Sequence, residues 1–188
     1  MISTIYNGYV GVAPGTAITG SYDPQGTAAG DVNLVSLLAN DFAETALNNH
    51  AAMMARKAVA TFLGVAVELG GRAPFSPGIY SASTAMNIAH GTQVILDAGS
   101  DSTAVFIFIA GTTLVTAADT EIFLTGGARA ENVMWVMGTA ATLGARSVVQ
   151  GSILAGTAIT FGTESELYGC AIAQSAVTFE SAGTVYLP

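Results

Sequence analysis

Residues 138–155, GTAATLGARSVVQGSILA, run directly into residues 156–173, GTAITFGTESELYGCAIA. The two stretches agree at Gly138/Gly156, Thr139/Thr157, Ala140/Ala158, Thr142/Thr160, Gly144/Gly162, Ser147/Ser165, Gly151/Gly169 and Ala155/Ala173, and a third copy opens at Gln174 with QSAVTFESAG. Thr142, Thr160 and Thr178 are evenly spaced, and Ala141, Ile159 and Val177 keep the same step, as do Leu143, Phe161 and Phe179. A period this short cannot hold a helical hairpin. It matches one coil of a β-solenoid, stacked on the next through parallel strands about 4.8 Å apart. Strand alternation then fixes direction: with Ile159 and Phe161 inward, Ala158 and Thr160 face out. The glycines at 138, 144, 151, 156, 162 and 169 fall where the coil bends, and the backbone freedom of Gly is the expected reason for them. The regular coils are predicted over about 138–183.

Looser copies lie upstream. TTLVT (112–116) leads into EIFLTGG, and with Thr113 matched to Thr139 that coil carries an insertion of about 8 residues. STAMNIAHGTQVIL contains Thr84 to Asn87, and GTAITG contains Thr16 to Thr19. The run AVFIFIAG (104–111) is apolar at every other position and between, which predicts a strand covered on its outer face. Residues 41–63, DFAETALNNHAAMMARKAVATFL, hold neither Gly nor Pro and stop at Gly64, which predicts one long helix. Its stripe of Phe42, Ala46, Met53, Val59 and Phe62 is expected to lie along the solenoid, with Arg56 and Lys57 toward solvent. RAPFSPGIY, with Pro74 and Pro77, reads as an extended return into the stack.

The 188 residues are expected to form one domain, 1–188; 51% are hydrophobic and only 10% charged, with a net charge of −8. Average domains carry about 25% charged residues, so the surface is built from Thr, Ser, Ala, Gly and Asn instead. Five Lys+Arg give no basic footprint for nucleic acid or for an anionic membrane. One cysteine, Cys170, rules out an internal disulfide. Two histidines, His50 and His90, well separated in the chain, leave little for metal or proton-transfer chemistry, so neither cofactor nor metal is expected. No uninterrupted apolar run is long enough to cross a bilayer, and Met1 onward shows neither a basic nor an apolar leader region.

Five segments together resemble a known family, the ice-binding proteins of the DUF3494 type: VGVAPGTAITG (10–20), LGGRAPFSPGIYSAS (69–83), DSTAVFIFIAGTTL (101–114), GGARAENVMWVMGTAATLG (126–144), and GSILAGTAIT with GCAIAQSAVTF. The resemblance implies a mainly β fold, a discontinuous right-handed β-solenoid of triangular cross-section with one long α-helix packed alongside. It also implies that the N-terminal coil stacks beside the C-terminal one, bringing Thr16 and Thr19 next to Ser175 and Thr178. Secretion, and ice as the partner, are further implications.

The family's ice-binding face is a ladder of TAxT or TAxN segments. Here the matching residues are Thr16, Ala17 and Thr19; Thr84, Ala85 and Asn87; Thr113 and Thr116; Thr139, Ala140 and Thr142; Thr157, Ala158 and Thr160; and Ser175, Ala176 and Thr178. Parallel stacking would set these side chains in straight rows on a flat wall. Threonine is stiff at χ1 and presents both a methyl and a hydroxyl, so such rows can order water and hydrogen-bond it in place. The expected partners are therefore ice and its ordered water, bound by a monomer with no catalytic role.

Thr ladders also occur in solenoids that bind no ice, which keeps an adhesin or carbohydrate-binding structural module open as an alternative. A polysaccharide-cleaving β-helix would need rows of carboxylates with Lys or Arg, where these repeats place Thr and Ala. Asp97, Asp101, Asp119 and Glu121 lack calcium-loop spacing. His50, His90, Trp135 and Cys170 read as structural.

Overall fold

The computed structural model describes residues 3–6, 9–12, 17–19, 22–25 and 45–186. Three parallel sheets of seven strands each form three faces, and successive strands of each coil go to successive sheets. The ladder sheet runs, in stacking order, Ala17–Thr19, Ala176–Phe179, Ala158–Phe161, Ala140–Leu143, Leu114–Thr116, Met86–Ile88 and Val67–Glu68. The helix-side sheet stacks Tyr9–Val12 on Cys170–Ala173 at one end and finishes with Gly78–Ala82 and Thr61–Gly64 at the other. A third sheet runs from Tyr22–Gln25 and Ser3–Tyr6 through Thr184–Tyr186 to Gln93–Asp97.

The stack is discontinuous as expected, because strands from the start of the chain pair with strands from its end: Thr4 with Thr184, Ala171 with Val10, and Val177 with Ile18. The even register holds residue by residue, Ala140 to Ala158 to Ala176 and Thr142 to Thr160 to Thr178. Earlier coils are longer. Ile79 pairs with Ile107 and Ile107 with Met134, so these coils exceed the regular ones by nine or ten positions, against the eight expected. The extra length sits at one corner, in 98–105 and 126–132, between the third and helix-side sheets.

Inward rows make the core. Met86, Leu114, Ala141, Ile159 and Val177 are at most 1% exposed, and each large one stabilises the stack by about 1.5–3 kcal/mol. Phe108 stacks on Trp135 at 4.4 Å, and Phe161 on Phe179 at 4.5 Å. Within Phe106–Ala110, Phe108 and Ile109 are both fully buried, which is the two-sided strand expected of AVFIFIAG.

The corner glycines have a different cause from the one expected. Of the six, only Gly151 has a positive φ, +103°. The others are small because the coils touch: a Cβ on Gly138 would stand 2.1 Å from the Gly111 carbonyl oxygen, and one on Gly156 2.3 Å from that of Gly138. The left-handed corner is made by other residues, Asp119, Arg146, Glu164 and Ala182, all at φ of +56° to +58°. Beside them Thr120, Ser147 and Ser165, at most 2% exposed, donate their hydroxyls to the carbonyls of Ala117, Gly144 and Gly162, which satisfies the turn.

The helical segment ends earlier than predicted. Residues 45–48 are helical, a turn follows at 49, helix α1 spans His50–Ala55, and a 3-10 turn covers Arg56–Val59; residues 41–44 lie outside the described residues. Ala60 is already extended, and Thr61–Gly64 is a strand paired with Gly78–Ala82. Thr61, Phe62 and Leu63 fit a pleated edge, and pairing there satisfies a sheet edge that a longer helix would leave open. The buried stripe is accordingly Leu47, packed on Leu154 and Ile172, with Ala46 and Met53, while Val59 and Phe62 are 79% and 61% exposed. Phe42 lies outside the described residues. Arg56 is exposed as expected, whereas Lys57 is half-buried and its Nζ donates to the Ser83 carbonyl at 3.0 Å.

Candidate functional site: the threonine and alanine face

Strand alternation sorts the ladder sheet into rows. The inward row runs Val67, Met86, Leu114, Ala141, Ile159 and Val177, and Ile18 pairs in register at its end. The row one residue later, pointing out, runs Glu68, Asn87, Val115, Thr142, Thr160, Thr178 and Thr19. Ala140, Ala158, Ala176 and Ala17 share the row one residue before the inward one, in line with Ala85 and Thr113. A further row lies at the corner, where Thr112, Thr139, Thr157 and Ser175 follow one another through backbone hydrogen bonds: Thr139 N to Thr112 O, Thr157 N to Thr139 O and Ser175 N to Thr157 O. Thr84 precedes them, its carbonyl accepting from Thr112 N. Thr16 lies outside the described residues.

One coil is shifted from its expected register. Leu114 pairs with Ala141, so the matching segment is Thr112-Thr113-Leu114-Val115, one residue earlier than the TLVT expected. Thr116 is not on the face: it is 2% exposed, and its Oγ1 accepts from Gly144 N at 2.9 Å. Thr113 occupies the alanine row, and Thr112 and Val115 join the outer rows. Strand alternation could have found this: the TLVT reading puts Leu114 in the outward alanine row, whereas taking Leu114, the larger of the two apolar residues, as the inward one sets the register.

The two threonine rows use their hydroxyls differently. At the corner, Thr84 Oγ1 donates to Val65 O at 2.8 Å and Thr139 Oγ1 to Thr112 O at 3.0 Å, tethering those two coils to their neighbours. In the outer row, Thr19 and Thr178 Oγ1 lie 3.2 Å apart across the junction of the first and last coils. The Thr142 and Thr160 hydroxyls make no hydrogen bond to another described residue, which leaves them for solvent. Thr142 is exposed and Thr160 partly so, each beside an inward residue that is almost fully buried. Each is thus a fixed methyl and hydroxyl on a rigid base.

Charge is kept to the margins. Arg146 donates Nε and Nη2 to the two Asp119 carboxylate oxygens at 2.6 and 2.8 Å, at the left-handed corner. That hydrogen-bonded pairing holds the Asp119 carboxyl below its usual value and raises Arg146. Glu68 ends the outer row, with Oε1 accepting from Gly70 N and Ala89 N at 2.9 and 2.8 Å.

The remaining polar candidates are occupied in turns and packing. Asp97 accepts from Gly99 N, Asp101 from Thr103 N and Oγ1, and Glu121 from Gln93 Nε2. His50 Nε2 lies 2.9 Å from the Met137 carbonyl, and His90 Nδ1 2.8 Å from that of Ala118. Trp135 is fully buried and donates Nε1 to Gln150 O. Among the described residues no group of three or more His, Cys, Asp or Glu is placed to hold a metal, and no helix is long and apolar enough to cross a membrane.

A three-sided parallel β-solenoid with Thr and Ala rows on one sheet defines the class. The Ice-binding-like family model matches residues 2–185, and the chain belongs to that family. It is 34% identical over 150 residues to an ice-binding protein of Nostoc sp. (strain HG1), covering 78% of this chain and 51% of that one. It is also 34% identical over 94 residues to an ice-binding protein of Flavobacterium frigoris (strain PS1), covering 50% of this chain and 33% of that one. The chain therefore spans about half and a third of these relatives. The crystal structure of an ice-binding protein from the Antarctic ascomycete Antarctomyces psychrotrophicus superposes with a TM-score of 0.70 at 28% identity, covering 100% of this chain and 94% of that one. An ice-binding protein from an Antarctic biological consortium shares the fold, with a TM-score of 0.73 at 24% identity over 98% of this chain and 84% of its own.

Proposed function

We propose that this chain binds ice through the Thr and Ala face of the ladder sheet, acting as a secreted monomer without catalytic activity. The observation that carries the proposal is the outer row Thr142, Thr160, Thr178 and Thr19, held in continuous register beside a buried inner row. The face acts as a template. The Thr142 and Thr160 hydroxyls, without a partner among the described residues, take positions in a water lattice, while Thr methyls and Ala side chains fill the spaces between and exclude mobile water. A charged group would hold its own hydration shell against that arrangement, and the strands of the ladder sheet carry one charged residue, Glu68, at its far end. Coil spacing of about 4.8 Å is of the same order as the repeat of water in ice. Adsorbed molecules then pin the growing front, which bulges between them, so that growth resumes only at a lower temperature and small crystals cannot coarsen.

The test is a single ice crystal grown in the purified protein. A freezing gap below the melting point, faceted growth and slowed recrystallisation of a frozen film are the expected results. A disc-shaped crystal growing at the melting point, as in buffer, would rule the proposal out and leave the adhesin or carbohydrate-binding alternative.

A further inference from the structure

We infer that Val115 divides the face, confining the continuous ice-contacting ladder to the four coils carrying Thr142, Thr160, Thr178 and Thr19, and isolating Asn87 beyond it. The inference rests on the ice-binding proposal. Val115 is 39% exposed and pairs with Asn87 on one side and Thr142 on the other, so it stands in the outer row and not in the core. It is the one position from Asn87 to Thr19 in that row whose side chain has no polar atom. In the same coil the hydroxyl has moved one row across, to Thr113, where neighbouring coils carry Ala85 and Ala140. The coil therefore presents methyl where the lattice on either side presents a polar group, and the reverse in the next row. Water templated by Thr142 cannot continue through it to Asn87. At the far end Glu68 closes the row with a carboxylate already engaged by two backbone amides.

Val and Thr have the same branched outline and the same χ1 restriction, so Val115→Thr replaces one methyl by a hydroxyl without moving the strand. It would join Thr142, Thr160, Thr178 and Thr19 to Asn87, raising the continuous row from four rungs to six. Thr142→Val is the converse and shortens the row to three. Val105, 48% exposed and outside the ladder sheet, provides the same chemical change elsewhere as Val105→Thr.

The experiment measures the freezing gap of the full chain and these three variants at equal concentrations, with circular dichroism to confirm the fold. Val115→Thr is expected to widen the gap by up to about 1.5-fold, the ratio of six rungs to four in a nearest-neighbour stack. Thr142→Val is expected to narrow it and Val105→Thr to leave it unchanged. A folded Val115→Thr with the gap of the unaltered chain, or a Val105→Thr that gains as much, overturns the inference while leaving ice binding intact. An unaltered chain with no gap at all overturns both.

Discussion

Thr160→Tyr tests the face at its centre. Thr160 lies between Thr142 and Thr178, one coil of about 4.8 Å to either side. A tyrosine in a strand stands roughly perpendicular to the sheet and reaches about 4 Å beyond a threonine, more than the thickness of one water layer. It therefore holds the middle three coils off a flat crystal surface. Those coils carry three Thr methyls and three Ala side chains, and at about 0.8 kcal/mol for each buried carbon the forfeited contact approaches 5 kcal/mol. A tenfold loss of adsorption needs only about 1.4 kcal/mol, so the freezing gap at equal concentration should fall at least tenfold. The fold should not notice. The side chain points outward, the inward position is filled by its neighbour Ile159, and Tyr is a good strand former, so the melting temperature and circular dichroism stay essentially unchanged. Ala51→Tyr, on the exposed side of α1, is the matched control and should keep full activity. A folded Thr160→Tyr protein with an undiminished gap would show that ice does not meet this sheet, whatever the rest of the molecule does.

Further expectations concern what holds the wall flat. Gly156→Ala drives a methyl to 2.3 Å from the Gly138 carbonyl oxygen and toward the His50 ring, and should cost about 3 kcal/mol in urea unfolding; a loss under about 1 kcal/mol would mean the coils can spread. Ser81 is 1% exposed and its hydroxyl has no hydrogen-bond partner among the described residues, so Ser81→Ala should stabilise the protein by about 1 kcal/mol, seen as a higher urea midpoint, and a lower midpoint would contradict the orphaned hydroxyl. The Asp119 carboxyl is held below its usual value chiefly by the Arg146 hydrogen bond, so the pair's contribution is present above the unfolded-state value near 4 and is lost as pH falls through the lower folded value. Arg146→Ala should therefore lower the melting temperature slightly at pH 6, with the difference from the unaltered protein vanishing in strong acid; a difference that grows on acidification would refute that linkage.

The parts of this molecule legible in the amino-acid order are those where repetition and alternation act together. Thr142, Thr160 and Thr178 keep one spacing and an inward residue sits beside each, so their row, the parallel pairing and the outward direction all follow from the chain itself. Where a coil has extra length the match has to be made by chemistry, and threonine is a poor guide because it serves both surface and turn. Thr113 and Thr116 read as the ends of a copy, yet Thr116 is a buried acceptor for Gly144 N and the copy is centred on Leu114. The end of the helix is obscured for a related reason. Residues 60–63 carry no breaker, and what turns them into a strand is the unpaired edge of Gly78–Ala82, a partner far from them in space until the stack has formed. The stacking of the first coil on the last likewise rests on family resemblance, since no local pattern announces a partner at the opposite end of the chain.

The division of labour inside one four-residue copy explains why such a face can be both rigid and free to bind. In Thr157-Ala158-Ile159-Thr160, burial of Ile159 against the inward row sets the register, and a slip of one residue would turn every outward side chain into the core. The corner threonines Thr84 and Thr139 spend their hydroxyls on backbone carbonyls, so the steps they span are fixed without the hydroxyls of Thr142 and Thr160. Only then can Thr142 and Thr160 keep hydroxyls that satisfy nothing within the described protein. A hydroxyl needed for the fold could not also be offered to a lattice of water. The outer row is therefore the place where substitution changes activity and not stability, and the inward row and tight corners are the places where the reverse holds.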